Sequence, residues 1–324
     1  MALPTGFLLH PAASLHDTGW NHPEHQGRLR ALSSTVGKDL LTLHDAVVQV
    51  ECGEATEEDL LRVHTHRHVQ LVRAAVEMAK ADDIRTLLTE DTPVSAASWD
   101  AAVGSVGAVI TAAERVSDGT LQNAFVAARP PGHHATESRS MGFCLFNNVA
   151  VAARWVQHKG LAERVLIVDW DVHHGNGTQD IFYSDPSVVY VSLHQSPHYP
   201  GTGAVEERGE GDGVGATINV PLPAATPPSV YHERFVAGLD EAWAFGGPDF
   251  VFISAGFDVM AGDPLGGQLL EPADLHGLTR VIVERTEADG IGLVVALEGG
   301  YDPARTGQGA VAVIRALAGL DLSA

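Results

Sequence analysis

Six short runs dense in Val, Ile and other apolar residues constrain this chain more than any other feature: Ala124 to Ala128, Val165 to Val168, Val188 to Leu193, Ile218 to Val220, Phe250 to Ser254 and Leu293 to Leu297. They are continuous rather than alternating, as strands covered on both faces of a parallel sheet are. Helical patterns separate them. Val149, Ala152, Ala153 and Val156 fall at i, i+3, i+4 and i+7, and the pattern stops at Lys159 and Gly160. The alternation predicts an α/β fold with a mainly parallel central sheet flanked by helices. A chain of 324 residues, 45% of them hydrophobic, can bury such a core as one domain over 1–324. The Gly- and Pro-rich stretches Gly201 to Gly215 and Pro221 to Pro228 read as loops inside it.

Composition narrows the function classes. The apolar stretches Gly290 to Leu297 and Ala101 to Ala113 are too short or too glycine-broken to span a bilayer, so no membrane association is expected. Met1 to His10 lacks the basic start and apolar core of a secretory signal, and Cys52 and Cys144 are the two cysteines, which fits a reducing, cytoplasmic setting. A formal net charge of -21 repels phosphate backbones and attracts cationic partners, so nucleic acid is not an expected ligand. Self-association is left open.

In open parallel sheets ligands collect beyond the carboxyl ends of the strands, and the residues following the apolar runs are rich in His and Asp. After Val165 to Val168 comes Asp169-Trp170-Asp171-Val172-His173-His174-Gly175-Asn176-Gly177. In extended chain Asp169, Asp171 and His173 share a face, a spacing suited to metal ligation. Asp258, in Ala255-Gly256-Phe257-Asp258, offers a further carboxylate from another strand end. Two carboxylates and one imidazole leave a divalent ion an open position, as a catalytic rather than a structural zinc site requires. Arg129-Pro130-Pro131-Gly132-His133-His134 supplies two candidates for acid and base work. Leu297-Glu298-Gly299-Gly300-Tyr301 presents a phenol that could stabilise charge developing on a carbonyl oxygen. Each element alone has an ordinary explanation in loop polarity, helix capping or a turn; their joint occurrence at four strand ends points to a metal-assisted amide hydrolase.

These motifs resemble the histone deacetylase and acetylpolyamine amidohydrolase superfamily, with its arginase-like α/β fold. The likeness runs from His16-Asp17-Thr18-Gly19 and His22-Pro23-Glu24 through Pro-Pro-Gly-His-His, Gly-Phe-Cys-Leu-Phe-Asn-Asn and Asp-Trp-Asp-Val-His-His-Gly-Asn-Gly-Thr to Glu-Gly-Gly-Tyr. The resemblance implies one zinc-dependent deacetylase domain, with zinc ligands at Asp171, His173 and Asp258, active-site histidines at His133 and His134, and a carbonyl-polarising Tyr301. It places Asp169 as the carboxylate orienting His133. Asn176, where the class I branch has aspartate, marks the class II pattern and leaves His134 without an anionic partner, and Glu298 is likewise class II-like. Phe143 and Tyr199 would flank a substrate tunnel, and Asp91 would be a rim carboxylate accepting hydrogen bonds from substrate backbone. Asp169 and Ser192, with carbonyls of Asp171, His173 and Leu193, would hold a monovalent cation, potassium. Arg28 matches an arginine of an internal cavity, but a surface arginine suits Gly27-Arg28-Leu29-Arg30 as well, and it stays outside the catalytic set. Cys144 reads as a small buried hydrophobe rather than a nucleophile.

The expected activity is removal of acetyl or other short acyl groups from lysine side chains of proteins or from acetylated polyamines. One rival is an arginase-like ureohydrolase with two metals, which needs more Asp and His ligands than His133, His134 and Tyr301 provide. Another is an acyl-lysine binder without catalysis, against which the full set of ligands, histidines and tyrosine argues.

Overall fold

The structure, a computed structural model, describes residues 3–322, so Met1 and Ala2 of the leading stretch lie outside it. Ten strands form among the described residues: β1 (Thr5–Leu8), β2 (Val47–Val50), β3 (Thr86–Thr89), β4 (Thr92–Val94), β5 (Asn123–Val126), β6 (Val165–Asp169), β7 (Val188–Gln195), β8 (Thr217–Leu222), β9 (Phe250–Ala255) and β10 (Gly292–Leu297). The same residues form nine α-helices: α1 (Gly27–Leu43), α2 (Glu57–Leu60), α3 (His66–Asp82), α4 (Ser98–Ser117), α5 (Asn148–His158), α6 (Asn176–Phe182), α7 (Pro228–Gly246), α8 (Pro272–Asp289) and α9 (Pro303–Leu317). Eight strands make one sheet in the order β2-β1-β5-β10-β9-β6-β7-β8, parallel at every pairing. β3 and β4 form a separate antiparallel hairpin.

The continuous apolar runs follow from a core on each face. In β9, Val251 and Ile253 enter a core shared with α1, α7, α8 and α9, while Phe250 and Phe252 enter a second one shared with α3, α4 and α5. β6 and β10 divide in the same way. Burying a side chain of this size contributes about 1.5–3 kcal/mol, so both alternating positions favour apolar residues and no polar face remains. Two expectations shift in detail. Pro221 and Leu222 belong to β8 and Pro228 opens α7, because proline is tolerated on an edge strand and in a first helical turn. No helix among the described residues is long and apolar enough to cross a membrane.

The neighbours β5, β10, β9 and β6 stand side by side. They precede the His-His, Glu-Gly-Gly-Tyr, Gly-Phe-Asp and Asp-x-Asp-x-His segments respectively, so parallel topology delivers all four to one end of the sheet.

Candidate active site

Asp169 is the last residue of β6, and beyond it the chain is not extended. The shared face expected for Asp169, Asp171 and His173 therefore does not arise from strand alternation. Two successive Asx-type turns shape the segment instead: the Asp171 amide donates to Asp169 Oδ1 at 3.1 Å and the His173 amide to Asp171 Oδ1 at 2.9 Å. Asp171 and His173 converge on Asp258, whereas Asp169 is diverted to His133.

Asp171, His173 and Asp258 are buried, and each offers a ligand atom within 4.8 Å of the others. This is the one such His/Cys/Asp/Glu group of three or more among the described residues. Asp258 Oδ2 is buried without a well-aligned hydrogen bond, its nearest polar neighbour being His173 Nδ1 at 3.3 Å, a costly state unless a cation faces it. Burial and the charge of Asp171 push the Asp258 carboxyl up to about 7. Burial opposes ionisation of Asp171 too, yet His133 and His173 hold it below the usual carboxylate range. Crowded carboxylates with an unpartnered oxygen are the environment that a divalent ion relieves, so these residues fit the metal expected of them. Glycine is required beside them: a Cβ on Gly299 would lie 2.6 Å from Asp171 Oδ2 and 2.9 Å from Asp258 Cγ.

The histidine pair is held by unlike partners. His133 Nδ1 donates to Asp169 Oδ2 at 2.9 Å, an oxygen that also accepts from the Tyr190 hydroxyl at 2.9 Å. His133 is buried, which disfavours its charge, but Asp169 and Asp171 overcome this and raise its pKa to about 10. His134 Nδ1 lies 2.8 Å from Asn176 Oδ1, and the amide nitrogen of Asn176 faces Met141 Sδ at 3.4 Å. The amide oxygen can only accept, so Nδ1 carries the proton and Nε2 keeps its lone pair. Burial, followed by the neighbouring His133 and His173, pushes His134 well below the usual histidine range. Under the pair, the Gly132 and His133 amides donate to Glu298 Oε2 at 2.6 and 3.2 Å, and Ser254 donates to its other oxygen at 2.9 Å.

Tyr301 stands just before α9, whose cap Asp302 accepts from the Ala304 and Arg305 amides. Asp263 accepts from the Tyr301 amide at 2.6 Å. The tyrosine ring lies against Phe143, His173 and Arg28, with centroid separations of 5.8 and 6.4 Å from the first two. Its hydroxyl has no hydrogen-bond partner among the described residues and is free for a ligand. A cavity of about 500 Å³ opens above, lined by His134, Phe143, His173, His198, Tyr199, Leu265 and Tyr301, with Asp91 its one acidic lining residue.

Phe143 and Tyr199 are thus both pocket residues. Phe143 occupies the left-handed region at φ 69°, which costs a side-chain-bearing residue about 1–2 kcal/mol. Asp91 reaches the rim, but its oxygens accept from this chain's own Thr92, Gly142 and Tyr199. Ser192 lies opposite Asp169 in register, and its hydroxyl is 2.9 Å from His194 Nδ1.

The sequence reading left Arg28 open between an internal cavity and the surface, and it missed the partners that decide between them. Arg28 is fully buried rather than superficial, donating to the carbonyls of Gly300 and Glu298 and to Glu24 at 2.5, 2.6 and 3.0 Å. Arg129 donates to the same Glu24 carboxylate at 2.6 Å. His198 also went unnoticed; its ring stacks on His173 at 4.9 Å and Nε2 lies 2.8 Å from the Leu265 carbonyl.

Comparison with known proteins identifies the family. A histone deacetylase domain model matches residues 22–317. The chain is 36% identical to a probable deacetylase of Archaeoglobus fulgidus, covering 99% of this chain and 88% of that protein. It is 40% identical to histone deacetylase 15 of Arabidopsis thaliana over 92% of its own length and 53% of the relative's. For human histone deacetylase 7 the identity is 36%, over 92% and 34% of the two chains. The chain thus spans about half or less of these two eukaryotic relatives. Among solved structures, the crystal structure of the HDA15 HD domain superposes with a TM-score of 0.89 at 37% identity, over 98% of this chain and 89% of that one.

Proposed function

The chain belongs to the histone deacetylase family, whose members are zinc-dependent hydrolases, and from that premise we propose that it removes acetyl or other short acyl groups from the side-chain amine of lysine in proteins. Acetylated polyamines are the alternative class, since they carry a comparable aliphatic stem. The observation that carries the reading is the Asp171, His173 and Asp258 group at the foot of a pocket walled by Phe143 and Tyr199. Its isolation as a ligand group supports a single ion and speaks against the two-metal ureohydrolase.

Asp171, His173 and Asp258 would hold one zinc ion. When bound, the ion supplies Lewis acidity toward the acyl carbonyl and makes water more acidic. The chain's residues do the rest. Phe143 and Tyr199 enclose the methylene stem, leaving the acyl carbonyl beside the Tyr301 hydroxyl. Tyr301 donates a hydrogen bond to that oxygen as negative charge develops there. His134, with Nε2 unprotonated, takes the proton from the attacking water. His133, held by Asp169, faces the developing anion as an imidazolium, and a histidine proton reaches the departing amine. Asn176 keeps His134 in the required tautomer and, being neutral, raises its proton affinity less than a carboxylate would. Asp169 and Ser192, with the carbonyls of Asp171, His173 and Leu193, would hold potassium as a structural ion, and the free Cys52 and Cys144 suit a cytoplasmic enzyme.

Side-by-side hydrolysis rates on acetyl-lysine peptides and on acetylated putrescine, cadaverine and spermidine test the substrate class. Faster turnover of the peptides is expected, and a clear preference for the polyamines would replace this reading with its alternative.

A further inference from the structure

We propose that Asp91 is a positioning residue that ties the two aromatic walls of the pocket together and so sets the width of the slot leading to Asp171, His173 and Asp258. The inference rests on reading the pocket as an acyl-amine site. It assigns Asp91 a task other than gripping the substrate backbone.

Asp91 sits at the tip of the β3–β4 hairpin, between Thr89 and Thr92, whose hydroxyls donate to its Oδ1 at 3.3 and 2.8 Å. The Gly142 amide donates to both carboxylate oxygens, at 3.1 and 3.2 Å. The next amide, that of Phe143, donates to Thr92 Oγ1 at 3.2 Å. One hairpin tip therefore holds two successive amides of the turn that presents Phe143. That turn needs holding. Met141 and Cys144 exchange both backbone hydrogen bonds around it, and Gly142 and Phe143 stand at φ 55° and 69°. Glycine adopts such angles freely, whereas phenylalanine relaxes toward negative φ unless its neighbours prevent it.

The same carboxylate reaches the opposite wall. Tyr199 Oη donates to Asp91 Oδ2 at 3.2 Å, its one hydrogen bond among the described residues. Tyr199 is 40% exposed, and its ring meets His134 and His173 edge to face at 5.2 and 6.1 Å. The Asp91 link is the one side-chain hydrogen bond among the described residues that fixes this ring over the pocket. From behind, His22 closes the arrangement, its ring 4.6 Å from Phe143 and its Nε2 3.4 Å from the Asp91 carbonyl. Removing the carboxylate frees Phe143 and Tyr199 together. Misplacing pocket walls by about 1 Å costs on the order of 100-fold in rate.

The test uses two substrates that differ in whether any backbone is present to be gripped, an acetyl-lysine peptide and N-acetylbutylamine. Asp91→Ala should lower kcat/KM on both by a similar factor, about 10- to 100-fold, and Asp91→Asn, which keeps one acceptor oxygen for Gly142, should recover part of it on both. Tyr199→Phe, which cuts only the second link, should cost less than Asp91→Ala on both. Loss confined to the peptide would overturn the proposal in favour of a backbone grip. Hydrogen exchange gives a readout independent of turnover: the Gly142 and Phe143 amides should exchange at least about tenfold faster in Asp91→Ala and keep wild-type rates in Tyr199→Phe. Unchanged exchange in Asp91→Ala also overturns the proposal. If the wild type hydrolyses neither substrate, the deacylase reading fails, while the exchange data still decide the clamp.

Discussion

Replacing Tyr301 with Phe removes one oxygen atom and leaves almost everything else in place. The backbone anchor to Asp263 is untouched, and the ring keeps its contacts with Phe143, His173 and Arg28. The hydroxyl has no protein partner to lose among the described residues, so stability should change by less than about 0.5 kcal/mol. Tyr301 is outside the ligand group, so metal content should match the wild type. The whole effect should fall on the transition state. One hydrogen-bond donor to a developing oxyanion is worth about 2.7–4 kcal/mol, or roughly 10²- to 10³-fold in rate. Steady-state kinetics on an acetyl-lysine peptide should show kcat falling by that factor with KM changing little, alongside an unchanged melting temperature and metal analysis. A variant retaining most of its turnover refutes the reasoning and reduces Tyr301 to a turn residue.

Three further outcomes are expected. His134→Ala should cost more turnover than His133→Ala with metal bound in both proteins, because Asn176 leaves His134 Nε2 free to accept a proton while Asp169 favours protonated His133; the reverse order refutes this division of roles. Gly299→Ala should fold but lose most of its metal, since the new Cβ would crowd Asp171 and Asp258, and wild-type metal content by elemental analysis would contradict the packing argument. Buried His16 and His64 have pKa values lowered to about 4 and about 3, chiefly by burial, so the stability they contribute is complete above pH 6.5 and is lost as pH falls toward those values. Each such site costs about 1.4 kcal/mol per pH unit in that window, and a melting temperature constant from pH 6.5 to 4 would count against it.

What the sequence disclosed was what neighbouring residues determine. β6, β9 and β10 are legible because strands covered on both faces need apolar residues at every position. The ligand group is legible because its members follow those strands directly. β1 and β2 are harder to see: β1 is four residues containing Thr5 and Gly6, and β2 is an edge strand whose Gln49 faces solvent. Their place in the sheet comes from pairing with each other and with β5. The pairing of Arg28 and Arg129 with Glu24 was illegible for a different reason. A charged residue is buried only when its partner is at hand, and Arg129 finds Glu24 across 105 residues of sequence. The second employment of Asp91 was hidden likewise, because Gly142 and Tyr199 lie 51 and 108 residues away.

The central claim is that one metal ion held by Asp171, His173 and Asp258 supports amide hydrolysis. Titrating zinc into chelator-stripped protein while following acetate release from an acetyl-lysine peptide tests it most directly. Activity should be absent without metal, rise linearly and saturate at one ion per chain, with Asp258→Ala inactive throughout. Full activity in the stripped protein, or saturation only at two ions, would contradict the account.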